Sequence, residues 1–276
     1  MEGLILLFKF MTRLPIPMDP KFDSIKMGKS MRFFPVVGIV IGIIMYVFYL
    51  LFGSFIRSAY ILAGVMVLLE IAITGAMHLD GLSDTFDGIF SYRSKQKMLE
   101  IMKDSRIGAN GAIALIMYFL LKILLLAGIQ NEFPIINLGL LSGKLQLNGM
   151  GLALLISPVI ARANSVLNCG MSPYAKASGS AKDLVEQTDR QGVMVGILIS
   201  LIYSLLVQAI LYRGFNAICI VNTIFVTHVL GAYFAKLMER KIGGITGDTL
   251  GAVLELSQLV VLFGIYISLG VSLWKN

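Results

Sequence analysis

Charged side chains are scarce in this chain of 276 residues, at 14% of the total, whereas hydrophobic residues make up 57%. An ordinary soluble domain has about a quarter of its residues charged, so the composition excludes that class of protein. Several apolar runs of about 20 residues are long enough to cross a hydrocarbon core roughly 30 Å thick as helices. The composition therefore predicts a polytopic integral membrane protein of the all-α class, built as a helical bundle.

Cysteine is also rare, with only Cys169 and Cys219 in the chain. Cys169 falls just past the inner end of one predicted span and Cys219 near the outer end of another, so we expect no internal disulfide. Glu2 does not fit the basic start that is expected of a signal peptide. Residues 4–10 are apolar but too few to span a membrane, and we predict a short N-terminal interfacial helix.

The long apolar runs predict about seven transmembrane helices. Their predicted bounds are residues 33–52, 59–77, 107–129, 149–167, 193–212, 217–237 and 250–274. The sequence has no internal repeat, no low-complexity tract and no soluble segment of domain size between the spans. We therefore expect a single membrane-embedded catalytic domain over residues 1–276.

Basic residues are distributed unequally between the two sides of this predicted bundle. The side that holds the N-terminus carries 18 Lys and Arg residues. The opposite side has only Arg57, Lys144, Arg213 and Lys275, and Lys122 lies inside the third span. The positive-inside rule places the richer side in the cytoplasm. The net charge of +7 is mostly this bias, which favours an anionic substrate or anionic lipid headgroups and gives no case for nucleic acid.

The charge that is present concentrates between His78 and Arg106. Asp80, Asp84 and Asp87 stand at positions i, i+4 and i+7, so on a helix they share one face. Like charges at that spacing repel, and burial increases the cost unless a divalent cation compensates. The spacing therefore predicts a site for Mg²⁺ or Mn²⁺ on a cytoplasmic face, the alternative being a solvated acidic loop.

Two neighbours of the acidic trio allow more than one role. His78 can be a metal ligand, a general base or an orienting residue, or else an interfacial histidine satisfied by water or a backbone carbonyl. Asp104 precedes the third span close to Arg106, which allows either a fourth metal ligand or a simple salt bridge.

Glu70 and Arg162 are among the ionisable residues that fall inside predicted spans. Glu70 lies ten residues before Asp80, hence about 15 Å deeper on a continuous helix, and either contacts substrate or pairs within the bundle, for example with Arg162. Arg162 follows Pro158 in the fourth span and is predicted to reach towards the headgroup level. Its planar fork suits a phosphate, and an ion pair is the alternative.

A glycine-rich loop precedes the last span. It contains Gly244, Thr246, Gly247 and Asp248. Free backbone N–H groups at a helix N-terminus favour an anion, and Asp248 can cap that helix or reach a metal. Glu255 lies seven residues further on the same helical face. The basic loop at residues 170–184 is either a flexible cover over an anionic substrate or a plain connection.

Three segments, HLDGLSDTFDG, EIMKDSRIGANGA and GGITGDTLGA, resemble the cobalamin synthase family of adenosylcobinamide-GDP ribazoletransferases. The shorter segments TRLPIP, FFPVVGIVIG, SPVIARA and PYAKASG extend the resemblance over nearly the whole chain in the expected order. It implies an inner-membrane, multi-pass enzyme that uses Mg²⁺. Its substrates would be adenosylcobinamide-GDP and alpha-ribazole or alpha-ribazole 5'-phosphate, and GMP would leave.

The residues fit that chemistry in named roles. Asp80, Asp84 and Asp87 are the expected metal ligands, and His78 and Asp104 the expected catalytic bases. Anion binding is expected from Arg106, Arg162, Gly244, Thr246, Gly247 and Asp248. Glu70 and Glu255 are left without a fixed role. The sequence leaves open a homo-oligomer or a complex with other biosynthetic enzymes.

Two other functions compete with this interpretation. A phospholipid synthase that transfers phosphoalcohols from CDP-alcohols also uses membrane-embedded aspartates around metal ions, but with a different spacing from this trio. A cation transporter also carries intramembrane carboxylates, but transport needs acidic groups spaced through the whole membrane. Here only Glu132 lies towards the outer side.

Overall fold

The computed structural model describes residues 2–132, 136–137, 146–147, 149–212 and 215–273. The first half contains α1 (Glu2–Met11), α2 (Ser24–Lys29), a 3₁₀ turn (Ser30–Phe33), α3 (Phe34–Phe52), α4 (Ala59–Thr74), α5 (Met77–Ile89) and α6 (Lys95–Ile101). The second half contains α7 (Ala109–Glu132), α8 (Gly149–Met171), α9 (Lys182–Glu186), α10 (Arg190–Leu211), α11 (Ala217–Ile242) and α12 (Gly247–Leu273). Two strands of two residues, β1 (Ile136–Asn137) and β2 (Gln146–Leu147), pair antiparallel between α7 and α8.

The predicted all-α membrane bundle is confirmed. Within the described ranges, six helical segments are each long and apolar enough to cross a membrane: residues 24–52, which end in α3, and the helices α7, α8, α10, α11 and α12. The bent pair of α4 and α5 makes a seventh candidate. The short N-terminal helix is present as α1, and both cysteines are free, as expected. Some residues used in the sequence predictions lie outside the described residues, namely Lys144, Arg213, Lys275 and Trp274. The side chain of Glu132 is also not described.

The predicted continuous helix from Glu70 to Asp80 is wrong. α4 ends at Thr74, the next two residues adopt the left-handed conformation (φ 68° at Gly75 and 61° at Ala76), and α5 leaves at 94° to α4. Glycine at the first of these positions is a common helix stop, because it accepts positive φ without a steric penalty. Asp80 and Glu70 therefore lie on two different helices, and the distance of about 15 Å along one continuous helix does not apply.

α8 is the central helix of the bundle, since nearly all of its residues are buried. α3 packs closely on it: a β-carbon at Gly38 or Gly42 would clash with the α8 backbone around Pro158 and Leu155. This is the helix contact that a small-xxx-small pair allows. Through this contact α3 places Phe34 beside Arg162 on α8.

The loops predicted to be cytoplasmic meet at one end of the bundle. Residues 173–175 and 245 form a short parallel bridge, in which Ala175 N–H donates to the Ile245 carbonyl at 2.8 Å and Ile245 N–H donates to the Pro173 carbonyl at 2.9 Å. The N-terminal segment joins the same end, because Arg13 N–H donates to the carbonyl of Ile73 near the α4–α5 break. The basic 170–184 loop is thus fastened to the glycine-rich loop.

Candidate active site

A cavity of about 130 Å³ opens where these loops meet. Its lining combines side chains of α1, α3, α5, α8 and α12 with the end of the basic loop. The polar members are His78, Asp80, Ser165, Ser180 and Asp248. The cavity therefore brings together residues that the sequence spreads over four distant segments.

A larger groove of about 670 Å³ lies elsewhere, between α7, α11 and α12. Its lining is mostly apolar and includes Leu121, Val226, Leu259 and Phe263. It offers no carboxylate, imidazole or basic side chain among the residues that line it. Phosphoryl chemistry needs such groups, so we place the candidate site at the smaller, polar cavity.

Two glycines let α5 lie directly against the start of α12. A β-carbon at Gly81 would fall 2.6 Å from the carbonyl oxygen of Asp248, and one at Gly251 would fall 3.0 Å from that of His78. Only glycine permits this approach of two backbones. The close contact fixes the acidic helix against the glycine-rich loop.

The three aspartates of α5 have different surroundings. Asp80 is exposed, Asp84 is half-buried and Asp87 is buried. Asp84 lies within electrostatic range of Asp80, Asp87 and Asp248. Lys176 of the basic loop binds Asp248 at 3.1 Å and also acts on Asp84. The cavity edge therefore carries more negative than positive charge.

Asp87 is bonded to protein rather than open to the cavity. Its carboxylate accepts N–H bonds from Gly108 at 2.7 Å and from Gly111 at 2.9 Å, at the start of α7. These are N–H groups that a helix leaves without an intrahelical partner, so Asp87 caps α7 from another helix. A β-carbon at either glycine would clash with the Asp87 carboxylate. Sequence reasoning missed this pairing, although the two glycines of RIGANGA were its signal.

The glycine-rich loop caps α12 with threonines. Thr249 N–H donates to the Thr246 hydroxyl at 3.2 Å and Thr246 N–H donates to the Thr249 hydroxyl at 2.8 Å. This is a reciprocal cap, so Thr246 rather than Asp248 closes the helix. Gly244 adopts φ 147° against the Pro173 carbonyl, and Gly247 lines the cavity.

His78 and Arg162 are both buried close to the ring of Phe34. The Phe34 ring centroid is 6.4 Å from that of His78 and 5.5 Å from the guanidinium carbon of Arg162. Both ring nitrogens of His78, and Nε and Nη2 of Arg162, have no hydrogen-bond partner among the described residues. His78 therefore lies in the cavity wall with unpartnered ring nitrogens. Arg162 does not line the cavity itself but lies next to Phe34, which does, and has two nitrogens without an acceptor.

The prediction that Arg162 climbs towards the headgroups is wrong. α8 continues to Met171, and the Arg162 side chain is 0% exposed. Its Nη1 donates to the Pro158 carbonyl at 2.9 Å, one turn closer to the helix N-terminus. Long helical side chains usually lean in that direction.

Asp104 and Arg106 form an exposed pair away from the cavity lining. Arg106 Nη2 donates to the Asp104 carboxylate at 2.6 Å, and the Arg106 side chain is 87% exposed. The hydrogen bonds from Arg106 lower the pKa of Asp104 to about 2. A carboxylate that holds its proton so weakly is a poor general base near neutral pH. Of the two predicted alternatives for Asp104, the structure has the salt bridge.

A buried charge network lies among α4, α7 and α12, and consists of Glu70, Tyr118, Lys122, Glu255 and Gln258. Lys122 Nζ is 2.7 Å from Glu70 and 3.9 Å from Glu255. Glu70 therefore pairs with Lys122 and not with Arg162. Sequence reasoning left Lys122 unassigned, although a lysine inside an apolar span needs a partner.

The acidic residues are not gathered into a complete metal cage. Among the described ranges, no three His, Cys, Asp or Glu side chains lie together as ligands for one ion. Mg²⁺ commonly takes one or two protein carboxylates, with water and substrate phosphate as its other ligands. Asp84 with Asp80 or Asp248 fits that smaller set, since their shared negative charge is only partly offset by Lys176.

Comparison with known proteins decides the family. The family model described as Cobalamin-5-phosphate synthase matches residues 3–266. The chain belongs to this family. The match contains both the α5 segment and the glycine-rich loop, and it confirms the family indicated by the sequence motifs.

Several curated relatives share the whole length. Adenosylcobinamide-GDP ribazoletransferase of Fusobacterium nucleatum is 43% identical, over 95% of this chain and 96% of its own length. The proteins of the same description from Caldanaerobacter subterraneus and Clostridium acetobutylicum are 38% and 36% identical, over 94% and 95% of this chain and 96% and 95% of their own. No solved structure matches the chain.

Proposed function

We propose that this protein is a membrane-bound transferase that joins alpha-ribazole, or its 5'-phosphate, to adenosylcobinamide-GDP and releases GMP. The observation that carries the proposal is the polar cavity. It unites the acidic helix, the glycine-rich loop and the unpartnered imidazole of His78 in a chain that matches this family from residue 3 to residue 266. A diphosphate substrate needs such a combination of charges and donors.

The bond changes of the reaction are simple. A ribose hydroxyl oxygen of alpha-ribazole attacks the phosphorus attached to cobinamide and forms a new P–O bond. The bond from that phosphorus to the bridging oxygen breaks, and GMP leaves with the electron pair. The hydroxyl proton goes to a base, for which His78 is the candidate because it lines the cavity and both ring nitrogens lack a partner among the described residues.

Asp84, together with Asp80 or Asp248, would hold Mg²⁺ in this proposal. The ion would supply compensation for charge on the diphosphate. Without it, the carboxylates at the cavity edge would repel an anionic substrate. Asp87 has the different task of fixing α5 to α7, since both its oxygens already accept N–H bonds.

Arg162, which lies beside the cavity residue Phe34, is the proposed phosphate contact. Its free Nε and Nη2 match two oxygens of a phosphate, a pairing that a lysine cannot reproduce. We expect both Arg162→Ala and Arg162→Lys to lose activity, by about tenfold or more, in steady-state assays of GMP release. Full activity of Arg162→Lys would remove Arg162 from the site.

We also propose which side of the membrane the cavity faces, from the unequal distribution of Lys and Arg between the two ends of the bundle. The basic loops and the cavity share one end of the bundle, and we assign that end to the cytoplasmic side of the cell inner membrane. One membrane-embedded catalytic domain then covers the chain. The transmembrane helices would be surrounded by the lipid bilayer, and we propose no nucleic-acid partner for the protein.

The direct test is GMP release by the purified protein in detergent or vesicles. Adenosylcobinamide-GDP should yield GMP only when alpha-ribazole and Mg²⁺ are both present, and the product should contain the ribazole. Release of CMP from a CDP-alcohol instead would identify the phospholipid synthase. GMP release that is indifferent to alpha-ribazole would identify a hydrolase and overturn the proposal.

A further inference from the structure

We infer that Lys122 is a positioning residue: by holding the carboxylates of Glu70 and Glu255, it keeps the Arg162 guanidinium free to bind a substrate phosphate. The inference rests on the phosphate contact proposed above for Arg162. It assigns a task to three buried ionisable residues that the reaction itself does not use.

The carboxylates of the buried charge network are occupied. Glu70 receives hydrogen bonds from Lys122 at 2.7 Å and from Gln258 at 2.8 Å. Glu255 accepts from Tyr118 and, at 3.3 Å, from Gln258. Lys122 also donates to the Tyr118 hydroxyl at 2.6 Å. Lys122 is thus the cation that joins α4, α7 and α12.

Arg162 is close to this network but outside its hydrogen bonds. Glu70, Glu255 and Tyr118 all act on it electrostatically, yet within the described residues it has no ion-pair partner and two of its nitrogens have no acceptor. A buried donor without a partner is costly. In their ordinary ionisation states Glu70 and Glu255 supply two negative charges and Lys122 and Arg162 two positive charges, so the four balance without a direct contact to Arg162.

The position of Arg162 gives the free donors a use. Its guanidinium lies against Phe34, and Phe34 and His78 both line the cavity. Arg162 is buried and does not line the cavity itself. A phosphate oxygen that displaces the Phe34 ring would therefore reach the guanidinium and supply the acceptor that Arg162 lacks. If Lys122 were absent, Glu70 would lose its closest cation and would compete for the same donors.

The test measures KM for adenosylcobinamide-GDP together with kcat. Lys122→Met should raise KM by about tenfold, with a smaller effect on kcat. Coulomb's law gives a change in phosphate binding of about that size for one uncompensated unit charge at a distance of about 10 Å and an effective dielectric constant of about 20. The double variant Lys122→Met/Glu70→Gln removes the competing carboxylate as well. It should return KM to within about threefold of the wild-type value.

The single variant Glu70→Gln provides a second measurement that does not depend on how well Lys122→Met folds. Glutamine keeps the size of the side chain and removes its charge, so KM should fall below the wild-type value. A purely structural role predicts that KM stays constant or rises. Ser200→Ala, which removes a buried hydroxyl bonded within α10, is the control for packing damage and should leave KM unchanged.

The outcomes separate this inference from the proposed function. If Lys122→Met keeps the wild-type KM, if the double variant is not rescued, or if Glu70→Gln fails to lower KM, Lys122 is only a structural residue. If Arg162→Lys and Arg162→Ala keep wild-type kinetics, the phosphate contact itself is wrong. GMP release by the wild-type protein tests the overall activity independently of both.

Discussion

Asp84 and Asp87 share one helix face but differ in what surrounds their carboxylates. Asp87 accepts two backbone N–H bonds, whereas Asp84 lies among Asp80, Asp87 and Asp248. A carboxylate with fixed donors stabilises the fold, and one among like charges destabilises it until a cation binds. Replacing Asp84 should therefore affect mainly activity, whereas replacing Asp87 should affect mainly stability.

Replacement of Asp84 should remove activity without loss of stability. Asp84→Asn keeps the shape of the side chain and relieves repulsion, so the thermal midpoint without metal should hold or rise. Turnover should fall by about a hundredfold or more, since a metal ion contributes several kcal/mol to such a reaction. Wild-type turnover at low Mg²⁺ would mean that Asp84 is a solvated surface residue.

Replacement of Asp87 should have the opposite effect on stability. Asp87→Asn can accept only one of the two N–H bonds, so the free energy of unfolding should drop by about 1–3 kcal/mol. Thermal unfolding measured beside Asp84→Asn is the matched comparison. Equal stability of the two variants would contradict the capping role of Asp87.

Sequence reasoning placed both residues on a helix but could not assign their separate tasks. The i, i+4, i+7 spacing was sufficient for the shared face of α5. The donors of Asp87 are backbone groups of another helix, which no side-chain pattern of α5 can show. For the same reason Lys122 had no assigned partner until α4, α7 and α12 were placed together.

At the scale of elements, the contact between α5 and α12 depends on glycines. Gly81→Ala would place a methyl group against the Asp248 carbonyl, so we expect a loss of about 1–3 kcal/mol in stability from overpacking and a lower turnover. Gly64→Ala on α4 is the control, because no atom lies within 4 Å of the added carbon. It should be neutral or slightly stabilising.

A wild-type turnover in Gly81→Ala would show that the spacing of α5 and α12 does not matter for the site. Sequence reasoning can recognise a glycine inside a helix as a point where another backbone can come close. It could not name the partner, because Asp248 belongs to the last helix. The turn at Gly75 and Ala76 was missed because the apolar run continues through it. Hydropathy predicts the length of an apolar segment but not a change in the direction of the helix axis.

At the scale of the whole molecule, the loops richest in basic residues gather at the end of the bundle that holds the cavity. Hydropathy predicted the long helices well, because each must satisfy its backbone inside the membrane. The distribution of Lys and Arg predicted which loops share a side. Their detailed arrangement depends on contacts such as the Tyr174–Ile245 bridge, which sequence composition does not encode.

The predicted orientation can be checked by thiol labelling in a variant whose two native cysteines are replaced by serine. A cysteine at Ser94, an exposed position next to α6, should resist a membrane-impermeant reagent added to intact cells and react after lysis. A cysteine at Ser54, exposed between α3 and α4, should react in intact cells. Labelling of the Ser94 position from outside would reverse the proposed orientation.

The dependence of α5 on later helices also bears on biosynthesis. Asp87 can form its hydrogen bonds only after α7 has been synthesised, and Gly81 can make its close contact only after Asp248, at the start of α12, has been synthesised. While the ribosome is still producing the middle of the chain, the acidic helix has neither neighbour. We therefore expect the nascent protein to remain inactive until its last helix has been inserted. A product that stops before α12 should lack turnover even though all three aspartates of α5 are present.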